Sequence, residues 1–326
     1  MARNGHLLIA ALVVAAGATA CDYRALVDRE QEWATESSVD FGPEAAYERR
    51  MIFLGPGQRL PTAAIVDFVA VSDEAGLRRG VRARLSDGTE WSRLMDAGWE
   101  MDRMREPWLL VPHGPMRLVI GDEGEVDAIV FRSDSEVRIE PGGLLGQRRA
   151  DAGTQLVLRQ GRLAFGGDLV QGILLDARLG RALSTPPERD RADDQEVRSA
   201  DDGATPTVMP GAEALLLGEA GFYLVFGRSA EDQLAWLKYT HEDELLAGAR
   251  LTAVGWELDP EGFRVPNAWQ IIGNDYLAGE LVAEVVDGVD VSATGEAEGL
   301  SYAIVSGWVE DRGVHRDVYG VVRHVR

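Results

Sequence analysis

Cysteine is almost missing: Cys21 is the one thiol in 326 residues. No internal disulfide can form, so the fold must rest on core burial, which a chain of this length supplies for two ordinary domains. A cysteine nucleophile in the folded part is excluded. Lysine is as scarce, with Lys238 alone among arginines. Basic residues number 33 against 54 acids, for a net charge of −21. Such acidity excludes nucleic acid as a partner, because phosphate contacts need clustered cations. It also excludes a basic patch for anionic lipid. The acid excess serves solubility. Long apolar runs are missing too. Leu7 to Ala16 is the longest at the N-terminus, about half of the ~20 residues that a spanning helix needs.

That short run has a meaning of its own. Arg3 precedes it, small residues from Gly17 to Ala20 follow it, and Cys21 comes next. A cation, an apolar core and a small-residue exit are the parts of a secretory signal peptide over residues 1–20. "ATAC" resembles the bacterial lipobox, in which the cysteine becomes the new N-terminus and carries lipid. Ala18 stands where that pattern prefers leucine. Lipidation at Cys21 implies an exported protein tethered to the cell envelope, with the bilayer as partner. Two or more acyl chains make such an anchor stable. Loss of Arg3 with residues 1–20 takes the mature charge from −21 to −22. Residues 21–40 read as the lipidated tether.

Catalytic signatures are also missing. There is no Walker loop, no G-x-G-x-x-G entering a helix and no G-x-S-x-G. The mature histidines, His113, His241, His315 and His324, include no pair at helical zinc spacing. His315 and His324 read as exposed strand ends, and "HEDEL" at His241 as a solvated loop. No metal or cofactor is expected. The tryptophans, among them Trp91, Trp99 and Trp108 and then Trp236, Trp256, Trp269 and Trp308, read mainly as core.

Strands dominate what is present. Pro43 to Arg50 suggests one or two helical turns, and from Met51 the hydrophobic period is two. Hairpin turns are expected at Asp87-Gly88, Asp122 to Gly124, Gln160-Gly161, Glu219 to Gly221, Asp287-Gly288 and Asp311 to Gly313. "LAWLKYT" fits a helix or a strand, with the strand favoured by its neighbours. Ser184 to Gly211 is charged and proline-bearing with almost no large apolar residue, so it reads as a linker. The expected fold is all-β: two consecutive antiparallel barrel or sandwich halves with little helix, residues 41–183 and 212–326.

"RVPNAWQIIG", "YLAGELVAEV" and "VSATGEAEGLSYAIVSGWVEDRG" resemble the closing strands of the bilobed lipocalin-like proteins, a group that includes carotenoid hydratase and AttH-type proteins. Pro266, Trp269, Gly307, Trp308 and Glu310 carry the resemblance. It implies two lipocalin-like barrels and an apolar ligand. No family acid can be placed on the sequence, so hydratase activity is not carried over. Three functions follow, in order: binding of an apolar or amphipathic small molecule, a structural or assembly role with solid barrels, and an enzyme with a buried carboxylate of raised pKa. Tyr302, Ser306 and Trp308 share one strand face and are the candidate ligand contacts if that face points inward. The opposite face, Ala303, Val305, Gly307 and Val309, is the alternative interior. Alternation alone does not choose between them.

Overall fold

The computed structural model describes residues 44–73, 76–101, 110–122, 125–132, 135–151, 153–182, 211–228, 232–240, 242–258, 262, 264–273, 276–289 and 299–325. The signal peptide, Cys21, the tether, the linker at 184–210, Trp108 and His241 lie outside the described residues.

Among the described residues, eighteen strands and one 3-10 turn, Glu219–Gly221, follow one another from Ala45 to Val325. The first nine are β1 (Ala45–Gly55), β2 (Thr62–Asp73), β3 (Gly76–Ser86), β4 (Trp91–Met101), β5 (Met116–Ile120), β6 (Val126–Arg132), β7 (Glu136–Arg149), β8 (Thr154–Phe165) and β9 (Asp168–Ala182). The second nine are β10 (Gly211–Gly218), β11 (Tyr223–Arg228), β12 (Gln233–Lys238), β13 (Asp243–Ala247), β14 (Arg250–Leu258), β15 (Arg264–Ile272), β16 (Leu277–Val289), β17 (Leu300–Asp311) and β18 (Val314–Val325). The fold is all-β, as the periodicity requires, with each half an antiparallel sheet.

The two sheets repeat one topology. The first runs β4-β3-β2-β1-β9-β8-β7-β6-β5 and the second β13-β12-β11-β10-β18-β17-β16-β15-β14. Each strand of one half therefore has a counterpart in the other, β1 with β10 and β9 with β18. The second sheet curls until β14 returns beside β10 and β12.

Alternation sorts the side chains into three layers. Met51 and Phe53 of β1 pack inside the first half with Val66, Val81 and Phe131. Ala303, Val305 and Val309 of β17 pack inside the second half with Trp269, Phe222 and Leu281. The remaining faces meet each other. Ile52, Leu54 and Ile65 of the first half share one cluster with Leu215, Trp236, Tyr302 and Ile304 of the second. Each such large side chain contributes about 1.5–3 kcal/mol by leaving water.

Several turns fall where the sequence places them. Asp87-Gly88 closes β3 to β4, with Gly88 at φ +94° and Asp87 Oδ1 accepting from Thr89 N at 2.8 Å. Glu219 to Gly221 joins β10 to β11, and Arg312-Gly313 joins β17 to β18 with both residues at positive φ. "LAWLK" is strand β12.

Four expectations are corrected. Ala45 to Arg50 is strand, not helix: β1 is bonded along its length to β2 on one side and β9 on the other, and that pairing overrides local propensity. Gln160-Gly161 is no turn. Gly161 pairs with both Pro141 and Gly172, and the chain reverses at Gly166-Gly167. Glycine stands at 161 because a Cβ there would lie 3.1 Å from the Phe53 ring. Asp287-Gly288 also lies within a strand, paired with Tyr302 and Ser301. Asp243 and Glu244 begin strand β13 instead of a loop.

Candidate functional site at the seam between the sheets

The structure settles the two faces of β17. The small face, Ala303, Val305 and Val309, points into the second barrel. The face of Tyr302, Ser306 and Trp308 turns out of it, so these residues do not line a common lumen. Tyr302 is buried in the seam between the sheets. Ser306 is half-buried and donates to Glu284. Trp308, also half-buried, stacks on His315 at 5.2 Å between centroids.

Tyr302 belongs instead to a buried polar cluster that sequence alone did not single out. Two cross-strand rows build it. In the first sheet Arg50, Asp67, Arg82 and Asp96 are successive partners across β1, β2, β3 and β4. In the second, Glu213, Arg323, Tyr302 and Asp287 are successive partners across β10, β18, β17 and β16. Alternating charge along a row is favourable, since opposed residues on one face stand close. The signal was present in the sequence as charges at inward positions of otherwise apolar strands.

The rows cross face to face. Tyr302 Oη donates to Asp67 Oδ2 at 2.7 Å, and Arg323 Nε donates to the same oxygen at 2.9 Å. Arg50 donates to both Glu213 and Glu48 and lies 3.5 Å from Asp67 Oδ1. Arg323 Nη1 lies 3.6 Å from Glu213 Oε2. At the margin Arg84 Nε reaches Asp287 Oδ2 at 3.4 Å, and Trp91 Nε1 donates to the Val285 carbonyl at 3.4 Å.

Protonation in this cluster is fixed at neutral pH. Burial by itself pushes the Asp67 carboxyl up, but Arg323, Arg50 and the Tyr302 hydrogen bond together hold it below the usual carboxylate range. Burial, then the Asp67 charge, drives the Tyr302 phenol well above its ordinary value. Burial and the neighbouring Arg323 lower Arg50 to about 10, still a cation at neutral pH. These groups can hold charge in place; none is poised to transfer a proton near neutrality.

The repeated topology gives each position of the seam a twin. The hairpin β8–β9 closes at Phe165 and Asp168, and its counterpart β17–β18 closes at Asp311 and Val314. Followed inward from those turns, Ala177 corresponds to Arg323, and Leu156 to Tyr302. Arg50 pairs with Ala177 as Glu213 pairs with Arg323, so Arg50 and Glu213 are twins. Asp67 faces Arg50; one step along the ladder from Ala214–Phe226 brings Gly227 opposite Glu213. The seam contacts obey the exchange. β4 approaches β16 on one side, and on the other Arg148 of β7 pairs with Asp243 of β13. The triad Asp67, Tyr302 and Arg323 thus has as its twin Gly227, Leu156 and Ala177.

A cleft lies at that twin position. A Cβ on Gly227 would touch Leu156 Cδ2 at 3.3 Å. Around Gly227 the wall is apolar: Ile52, Leu156, Leu175, Leu179 and Phe226. Arg50, Arg178, Arg228, Glu213 and Thr154 complete the lining. Thr154 is 2% exposed and its hydroxyl has no hydrogen-bond partner. The cleft encloses about 350 Å³ counted out to its open mouth, but its inner free volume is about 10 Å³, room for about one water.

Other residues stand apart from the seam. His324 is not an exposed strand end; it is 8% exposed, edge-on to Trp256 at 5.5 Å, and burial with Arg228 and Arg323 lowers it to about 4. His315 is exposed. His113 stacks on Trp99 at 4.1 Å. Asp311 is 3% exposed, is raised by burial, and accepts from the Tyr239 hydroxyl. Among the described residues no cluster of His, Cys, Asp and Glu could hold a metal ion.

No family model and no curated protein matches the sequence. Two of the solved structures that resemble the chain show its fold. A Nitrosomonas europaea protein described as AttH superposes with a TM-score of 0.58 at 10% identity, over 88% of this chain and 96% of its own. Kievitone hydratase of Nectria haematococca gives 0.52 at 10% identity, over 89% and 91%. The architecture is therefore the lipocalin-like two-barrel fold.

Proposed function

We propose that the protein binds an amphipathic small molecule at the seam, close to a bilayer of the bacterial cell envelope to which an acylated Cys21 tethers it on the periplasmic face. One observation carries this reading: the lining of the cleft beside Gly227 combines apolar residues with three arginines. Ligand sites are mostly apolar with a few placed polar groups, and they favour boundaries between folded units. The seam meets both conditions. The cleft as it stands is narrow, so entry requires Leu156 or Leu179 to change rotamer. The kievitone hydratase name is consistent with small-molecule work on this fold, and no step of that reaction is carried over.

A structural role is the second reading. Large side chains pack inside each half, with Phe53 fully buried in the first and Trp269 in the second. An enzyme reading has one observation in its favour, the buried and raised carboxyl of Asp311.

The test has two arms. Solvent extraction of native protein followed by mass spectrometry should yield a co-purifying amphiphile, and tryptophan fluorescence should respond to added amphiphiles, since Trp236 packs in the seam. An empty extract and a flat titration leave the structural role. In the second arm Cys21→Ser should release the protein into the soluble exported fraction. Retention in salt-washed membranes would place the anchor elsewhere.

A further inference from the structure

We infer that the head group the seam cleft accepts is a carboxylate, taking the place that the Asp67 carboxylate holds at the twin position. This rests on the seam reading above and specifies the class of ligand.

The two twin positions differ in one respect that matters. At the filled one, Asp67 supplies a carboxylate that Arg323, Tyr302 and Arg50 surround. At the cleft, Gly227 supplies no side chain, and Ala177 and Leu156 replace the cation and the phenol. Positive charge has not left with them. Arg228 follows Gly227, Arg178 follows Ala177, and both line the cleft with Arg50. Arg50 already meets Glu213 and Glu48, Arg178 meets Asp176, and Arg228 Nε stands 3.7 Å from Glu213 Oε1, so the cations of the cleft are partly neutralised within it.

A second, independent feature points the same way. The Thr154 hydroxyl lines the cleft, is buried, and lacks a partner. Burying a polar group without a partner is costly, so such groups in native folds ordinarily have one. An oxygen of a bound carboxylate would accept from it. Glu213 also lines the cleft, but its charge is already met by Arg50, with Arg323 and Arg228 beyond. Arginine presents planar, paired donors that suit a carboxylate. The inner room of about 10 Å³ is smaller than a carboxylate, so the head group enters with the same rotamer change of Leu156 or Leu179, and the apolar lining is what its hydrocarbon chain would meet.

The test compares dodecanoate with dodecan-1-ol below their aggregation limits, by tryptophan fluorescence and thermal denaturation of the full chain. Dodecanoate should bind at least tenfold more tightly than the alcohol and raise the melting temperature. Gly227→Asp installs the twin's carboxylate in the cleft. It should raise the melting temperature without ligand and abolish the response to dodecanoate. If that variant does not fold, Arg228→Gln should weaken dodecanoate by tenfold or more and leave the alcohol unchanged. Equal binding of acid and alcohol, both lost in Gly227→Asp, would overturn the carboxylate and keep the seam. Binding of both that survives in Gly227→Asp would overturn the seam site itself. No binding of either would overturn both readings.

Discussion

The Tyr302 hydroxyl donates to Asp67 Oδ2 at 2.7 Å, and the bond ties β17 of the second sheet to β2 of the first. Both side chains are buried, and they lie 235 residues apart in sequence. Hydrogen bonds to a charged acceptor contribute about 1.5–3 kcal/mol. Tyr302→Phe should therefore lower unfolding stability by about 1.5–3 kcal/mol in urea titration. A double-mutant cycle with Asp67→Asn should return a coupling of at least about 1 kcal/mol. Additive effects would show that the bond does not join the halves.

Arg323 is the seam residue whose loss should cost most. Its Nε holds Asp67, and its Nη1 approaches Glu213. Removing one partner of a buried ion pair costs about 3–5 kcal/mol, because the other charge stays buried. Arg323→Met should lose that much at pH 7. Asp67 is held low in the native protein, so its contribution is present above the unfolded carboxylate pKa and fades as pH falls. The deficit of the variant should accordingly shrink as pH falls below about 4. A deficit independent of pH would contradict the pairing.

His324 sets a different pH window. Its folded pKa is about 4 against 6.5 for an ordinary histidine, so the folded form prefers the neutral ring. Between those values the unfolded chain binds the extra proton. Stability should therefore rise as pH goes from about 4 to 6.5, by up to about 3 kcal/mol. His324→Gln cannot titrate and should flatten this part of the curve, measured by chemical denaturation at several pH values. An unchanged slope would assign it to other groups.

Two glycines should prove intolerant for steric reasons alone. A Cβ at Gly307 collides with the Glu280 carbonyl, and one at Gly161 lies 3.0 Å from Leu174 Cβ and 3.1 Å from the Phe53 ring. Alanine at either site should cost about 1–3 kcal/mol or more by overpacking. Gly161→Ala in a Phe53→Leu background should recover part of the loss. No recovery would mean that backbone conformation, not the Phe53 contact, demands glycine there.

The sequence by itself determined the all-β class, the two halves and many of the reversals, because a strand with one face toward a core must alternate and a two-residue turn must contain residues that accept positive φ. Asp87-Gly88 and Arg312-Gly313 were legible for that reason. Gly161 and Gly288 were misleading for a related one: glycine serves a turn and a close strand contact alike, and only neighbours from distant strands tell the two apart. The same limit hid the seam. The alternation of β17 divides Tyr302 from Ala303 but carries no sign for inside and outside. That sign comes from the other sheet, where Asp67 and Arg50 offer Tyr302 a charged partner and the second barrel offers Ala303, Val305 and Val309 an apolar one. The cleft lay still further from view, since Gly227 acquires meaning only when the repeated topology sets it against Asp67. Strand pattern follows from local periodicity; which face is buried, and against what, is decided by pairings between residues that the chain itself keeps far apart.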